Sequence, residues 1–294
     1  MSFCIGISAI FESFRTVHAR TFLAAINHFI NTHDTLGLRF VFEDDDASPQ
    51  GGRRAAQNLI AKGVDVVVGH FSSDAAAGAL PLYQASGIPV LLPAATKQDL
   101  LEGAAHAFRL CPSDKDLMEL LAKNLIMDAP RGNVLIVHDS TEHGKSLARV
   151  LTAILAGSSM FVAPTLELAE VVVYCGRLNN SIRYVNSLLN EHRDLPIYLT
   201  DDALSNWFIQ NTSPLQNLRI VGLVTAEPTY FQESLAALQI ARTLSHCGEM
   251  LDALQTATFN TVLGQVQFCN GQNRFAHAAL WEIRDQRFIP STSA

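Results

Sequence analysis

VDVVVGHFSSDAAAGALPLYQASGIPVLLPAAT, residues 64–96, decides the fold. It opens with the β-branched run Val64-Asp65-Val66-Val67-Val68, which stops at Gly69, and closes with Ile88-Pro89-Val90-Leu91-Leu92, which stops at Pro93. Between them, 75–86 sets Leu80, Leu82 and Tyr83 among alanines at helical spacing, and Gly87 stands as a C-terminal stop. Strand, helix and strand in this order form a right-handed crossover, so the two strands run parallel and end at the same edge of one sheet. The loops Gly69-His70-Phe71-Ser72-Ser73 and Pro93-Ala94-Ala95-Thr96 therefore face one crevice. Open α/β sheets bind ligands outside the carboxyl ends of their strands, and these loops bring hydroxyls, backbone N–H groups and a helix N-terminus there. A small anionic group such as a carboxylate is the expected guest.

The same alternation extends in both directions. Upstream, 3–10 reads as a strand, 16–32 as a helix with Phe22, Ala25, Ile26 and Phe29 on one face, 38–43 as a strand and 51–62 as a helix. The loop Phe11-Glu12-Ser13-Phe14-Arg15 follows the first strand's carboxyl end and reaches the same crevice. Asp44-Asp45-Asp46 invites a calcium reading, but the alternating ligands and closing Glu of an EF-hand loop are missing, and helix capping before Pro49 accounts for the acids better. Downstream, 97–103 is a short helical turn and 108–112 is extended, with Pro112 placed where the chain leaves one sheet for another. Helices at 114–127, 143–155 and 182–191 then alternate with strands at 133–138, 161–164, 170–175, 196–199 and 219–225. Helices around 235–244 and 250–256 follow, with closing strands at 264–268, at 278–284 and near Phe288. The pattern predicts an α/β protein with mainly parallel sheets covered on both faces.

Five ordered blocks carry a family resemblance: EDDDASP at 43–49, GHFSSDAAAGALPLYQASGIPVLLPAAT at 69–96, FRLCPSD at 108–114, HDSTEHGKSLA at 138–148 and FNTVLGQVQF at 259–268. Together they make the chain similar to the type I periplasmic binding proteins of the branched-chain amino acid (Leu/Ile/Val) family, the solute receptors of ABC transporters. The resemblance implies two lobes, 1–112 plus 228–262 and 113–227 plus 263–294, with the ligand in a cleft between them and closure by hinge motion. The segment between Glu227 and Leu235 is tens of residues shorter than the family usually has.

Bulk properties suit such a receptor. The 294 residues are 48% apolar and 17% charged, enough for one large or two medium cores. A net charge of −7 excludes a nucleic-acid or anionic-membrane surface as the natural partner. No stretch approaches the roughly 20 apolar residues that cross a bilayer. Met1-Ser2-Phe3-Cys4-Ile5-Gly6-Ile7-Ser8 has no basic or apolar leader region, which is expected of a cytoplasmic chain as written or of a periplasmic one whose signal has been removed. Five widely spaced cysteines, Cys4, Cys111, Cys175, Cys247 and Cys269, contain no CxxC and read as free thiols rather than a disulfide framework or zinc site.

Two enzyme-like motifs fail on inspection. His143-Gly144-Lys145-Ser146 imitates the end of a phosphate-binding loop, but Asp139 stands where that loop needs its first glycine. Ser72 and Ser73 lie near His70, yet Gly69-His70-Phe71-Ser72-Ser73 is not a nucleophile elbow. No catalytic residue, metal site or cofactor is expected.

The resemblance places Ser73, Ala94 and Thr96 where relatives hold the α-carboxylate and ammonium of an amino acid, and Asp202 where an acid pairs with the ammonium; Asp201 is its alternate in register. His143 and Arg177 stand at or near positions where relatives have aromatic walls, which makes the pocket more polar and cationic. With Arg15 they favour a ligand with a polar or acidic side over leucine or valine. Phe11, Phe14, Phe71 and Ser72 complete the expected ligand-binding set. The expected partners are an amino-acid-like small molecule and an ABC permease; the other reading is a cytoplasmic sensor of the amide-receptor type that controls a regulatory protein.

Overall fold

The computed structural model describes residues 2–12, 16–188, 195–213, 217–225 and 229–291. The chain divides into two compact units, one of 1–113 with 229–276, the other of 114–228 with 277–294.

The first unit begins with β1 (Phe3–Ser8), α1 (Val17–Thr32), β2 (Leu38–Glu43), α2 (Pro49–Ala61), β3 (Val66–Gly69), α3 (Ser73–Ala85), β4 (Val90–Leu92) and β5 (Ala107–Arg109). Side chains that alternate along each strand build two cores, one on each face. Ile5, Ile7, Val66, Val68, Leu91 and Phe108 face one way, toward Phe22, Ile26 and Phe29 of α1. Cys4, Val67, Val90, Leu92 and Ala107 face the other, toward Leu59 of α2 and Ala76, Ala79, Leu80 and Tyr83 of α3. Glycines let α2 and α3 meet almost backbone to backbone: a methyl group at Gly52 would overlap the Ala75 carbonyl, and one at Gly78 the Pro49 carbonyl. Ser48 caps α2 through the Gly51 N–H at 3.0 Å, ahead of Pro49 in the first turn. Gly87, at φ +70°, ends the α3 segment as its sequence position suggests.

The second unit contains α4 (Asp114–Asp128), β6 (Asn133–His138), α5 (Glu142–Leu155), β7 (Phe161–Val162), β8 (Val171–Cys175), α6 (Leu178–Leu188), β9 (Ile197–Leu199), α7 (Asn206–Asn211) and β10 (Leu218–Leu223). The first unit resumes with α8 (Phe231–Leu244), α9 (Met250–Thr256), the hairpin β11 (Phe259–Thr261) and β12 (Gly264–Val266), then β13 (Phe268–Cys269) and β14 (Gln272–Asn273). β15 (Ala278–Arg284) and β16 (Arg287–Pro290) close the second sheet.

The first sheet has the order β13-β14-β5-β4-β3-β1-β2, and the second β16-β15-β10-β9-β8-β6-β7. Both are parallel from their third to their seventh strand and carry an antiparallel pair at the far edge. The α/β expectation therefore holds, in two sheets wrapped by helices. One boundary is corrected. Residues 263–276, expected in the second lobe, belong to the first unit, because β14 pairs with β5 through Gln272 and Arg109. A segment this short and polar carries no apolar periodicity to say which sheet it joins.

Candidate functional site

In each unit strand order reverses beside one central strand, β1 in the first sheet and β6 in the second. The loops leaving the carboxyl edge there are free to receive a ligand. Phe14 and Arg15 lie outside the described residues.

In the first unit Ser72 is the N-cap of α3. Its hydroxyl accepts from the Ala75 N–H at 3.5 Å and donates to the Ala47 carbonyl at 3.3 Å, so both of its roles are filled by protein. Ser73, the first residue of the helix, accepts the Lys97 N–H at 3.2 Å. That bond ties the loop after β3 to the loop after β4. It leaves the Ser73 hydroxyl proton to donate, beside α3 N–H groups that have no intrahelical acceptor. Ala94 and Thr96 are buried in the second of these loops.

Two buried polar groups hold this arrangement, and neither stood among the expected site residues. His70, fully buried, places Nδ1 2.7 Å from Asp45 Oδ2 and 3.0 Å from Ser8 Oγ, with Nε2 3.3 Å from the Tyr83 hydroxyl. A catalytic serine and carboxylate would sit on opposite ring nitrogens; here both are on Nδ1, away from solvent, so the cluster is a clasp joining the ends of β1, β2 and β3. Asp45 continues it by accepting the Ala47 N–H at 3.0 Å, and the Ala47 carbonyl receives Ser72. Arg109, at the end of β5 and 3% exposed, donates through Nη1 to the carbonyls of Thr96 and Lys97 at 3.1 and 2.7 Å, and through Nε to Gln272 Oε1 at 2.6 Å.

Of the aromatic residues expected at the site, Phe71 and Phe11 pack against other rings of this unit. Phe71 lies 4.7 Å from Phe22 and 6.0 Å, edge to face, from Tyr230. Phe11 meets Phe42 edge to face at 5.6 Å.

In the second unit Asp139 organises the edge. Its Oδ2 accepts the Arg177 N–H at 2.8 Å and the Asn180 amide at 2.7 Å, while Oδ1 accepts both the N–H and the hydroxyl of Thr141. Burial alone would raise this carboxyl, but the bonds from Asn180, Thr141 and the backbone outweigh it and hold the acid below its ordinary value. Methyl groups at Gly144 or Gly176 would overlap the Asp139 side chain, so those glycines make room for it. The residue that breaks the phosphate-loop pattern thus joins the loops after β6 and β8.

Asp202, buried in the turn after β9, receives Arg177 Nη1 at 3.2 Å. The two residues expected to face a ligand separately form an ion pair with each other. Asp201 is also buried in this turn. His143 is half-buried in the first turn of α5, and its Nε2 has no hydrogen-bond partner among the described residues. Among the described residues no group of three or more His, Cys, Asp or Glu side chains could hold a metal ion, and no helix is long and apolar enough to cross a membrane.

Residues 15–166, just over half of the chain, match the family described as periplasmic binding protein. The chain belongs to that family. It is 30% identical over 115 residues to the Leu/Ile/Val-binding protein of Escherichia coli K12, a match covering 39% of this chain and 31% of that one. It is 35% identical over 107 residues to a Leu/Ile/Val-binding protein homologue of Brucella melitensis, covering 36% and 29%. The matches thus span about a third of the length of these curated relatives. The fold agrees over nearly the whole chain. A leucine binding protein from Thermotoga maritima superposes with a TM-score of 0.85 at 12% identity, covering 99% of this chain and 98% of that one. An ABC transporter substrate-binding protein from Desulfitobacterium hafniense, in complex with Leu, gives 0.80 at 18%, covering 99% and 100%. A solute binding protein from Rhodopseudomonas palustris, in complex with benzoate, gives 0.81 at 14%, covering 99% and 95%. These relatives and neighbours are described as binding proteins, not enzymes.

Proposed function

We propose that the protein is a non-enzymatic receptor for a small amino-acid-like solute, delivering it to an ABC permease, with the two units as its lobes. The observation that carries this is the Ser73–Lys97 hydrogen bond, which places a hydroxyl donor and a helix N-terminus together at the carboxyl edge of the first sheet. The carboxylate is assigned to Ser73, Thr96 and the backbone near Ala94, and the ammonium to Asp202. In support, similar proteins are named for leucine, isoleucine and valine, and one neighbour of the same fold holds benzoate, a carboxylate without an ammonium.

The finer reading is a ligand with a polar or acidic side. It is supported by Arg177, whose side chain is 44% exposed where it meets Asp202, and by the unsatisfied His143 Nε2. Titration calorimetry with a panel of amino acids, dicarboxylates and simple carboxylates tests both levels. Binding of at least one amino acid, abolished by Ser73→Ala with Thr96→Val, is the expected result. Tightest binding of leucine would overturn the side-chain preference alone; no binding of any amino acid would overturn the receptor reading.

A further inference from the structure

Among the described residues, Arg109 is a buried cation with only neutral hydrogen-bond partners. The residue is 3% exposed, and its guanidinium donates to two carbonyls through Nη1 and to the Gln272 amide oxygen through Nε. An arginine does not shed its proton in a protein, so the charge stays whatever the surroundings. Buried charges are normally paired, because removal from water costs several kcal/mol per ion in the absence of a counter-charge. The Gln272 that fixes Nε is itself held, its Nε2 donating to the Cys111 carbonyl at 2.9 Å. The guanidinium is thus locked in place directly behind the Thr96–Lys97 peptides.

Those peptides form part of the proposed carboxylate cradle, so the inference rests on that reading and deepens it. By drawing the carbonyls of Thr96 and Lys97 inward, Arg109 fixes the two peptide planes and leaves the Lys97 N–H on Ser73 Oγ. We infer that Arg109 is the positioning and charge-determining residue of this edge: it holds the Thr96–Lys97 backbone in shape, and its uncompensated positive charge makes the first unit prefer a ligand carboxylate over the corresponding neutral amide. The missing counter-ion of the buried guanidinium is the ligand's own carboxylate, acting across the peptide layer rather than in direct contact. A charge in a low-dielectric setting acts over such a distance far more strongly than one in water.

Calorimetry with two acid–amide pairs tests this: L-leucine with L-leucinamide, and L-glutamate with L-isoglutamine. The wild type is expected to bind the acid of at least one pair more tightly than its amide. Arg109→Gln loses both the carbonyl grip and the charge, so it is expected to weaken the amide about as much as Arg109→Lys does and the acid about tenfold further, collapsing the ratio, as loss of one charge contribution requires. Arg109→Lys keeps the charge and loses the double carbonyl grip, so it should weaken both members while keeping the ratio. A role in folding alone would weaken both members equally in Arg109→Gln. That result, or a ratio left unchanged, overturns the inference while the receptor reading stands. Failure of the wild type to bind either acid overturns the inference, and failure to bind any amino acid of the panel overturns the receptor reading with it. Should Arg109→Gln not fold, the ratio in Arg109→Lys decides, together with the Arg109 Nε–H resonance of the wild type. That resonance must shift on adding the acid and stay in place on adding the amide; an unmoved signal overturns the inference.

Discussion

Glu233 stands in the first turn of α8, 5% exposed, and its Oε2 has no hydrogen-bond partner among the described residues. Burial pushes the carboxyl up to about 7, opposed only by a bond from its own N–H. An acid raised in the folded state keeps its proton over a range where the unfolded chain has already lost it. Stability from this group is therefore greatest below the ordinary value of 4.5, declines as pH rises from there, and is gone above about 7. Glu233→Gln mimics the protonated form. It should remove that slope and stabilise the protein at pH 8 on the order of 3 kcal/mol, with little gain at pH 4. Urea unfolding of both proteins at the two pH values checks this; parallel pH profiles would refute it. Such residues mark the limit of what the sequence conveys. Ser72, Ser73 and Thr96 can be proposed from sequence because they lie in small polar loops after β-branched runs. Arg109 and Glu233 sit inside ordinary-looking strand and helix sequence, and only the fold reveals that, among the described residues, one meets no counter-charge and the other's Oε2 no partner.

Among the elements, α2 and α3 have the closest approach argued above, with Gly52 against the Ala75 carbonyl and Gly78 against the Pro49 carbonyl. A methyl group at either position must drive the helices apart and unseat the Ser48 and Ser72 caps at their starts. Gly52→Ala and Gly78→Ala should each cost about 2–3 kcal/mol, although alanine is the better helix former by about 1 kcal/mol. The double variant should cost clearly less than the sum, because one separation of the helices relieves both overlaps. Thermal melts of the three variants give the answer, and full additivity would exclude a shared contact. The strands and helices around this pair were legible because apolar period and β-branching agree at each, with ends misjudged by a few residues. The segment 259–273 was legible only in part: a single strand is expected at 264–268, where the fold has β12 and the start of β13, while β11, β14 and the turns between them are not expected. These pieces are too short for periodicity to assign them to a sheet: β14 is placed by backbone pairing with β5, and the β11–β12 hairpin by burying Phe259 and Val266 in the first unit's core.

At the scale of the whole molecule, both units are built from discontinuous stretches, and the last 18 residues, 277–294, finish the second one. β15 pairs antiparallel with β10, and Trp281 donates its indole N–H to the Leu223 carbonyl at 2.8 Å. A chain ending after Ala276 lacks β15, β16 and the buried Leu280 and Trp281, leaving β10 as an open edge. Hydrogen exchange followed by mass spectrometry should find α4, α5 and β10 deprotected in that truncation, with α1 and α8 still protected, since the first unit keeps all of its strands. Equal protection in both units, or loss in both, would contradict it. The two-lobe expectation came from resemblance over ordered blocks; the exact return points could not, because nothing in residues 263–276 distinguishes one sheet from the other.

The pairing of β14 with β5 also has a consequence for synthesis. A nascent chain emerging from the ribosome presents β1 to β5 by residue 109, but the second neighbour of β5 arrives only with Gln272. Until then the first sheet waits with one flank uncovered and Arg109 without its Gln272 clamp, while residues 114–228 of the second unit are made in between. Completion of this edge of the first sheet thus waits until the whole of 114–228 has been made, and the open flank of β5 is exposed to mispairing in the interval.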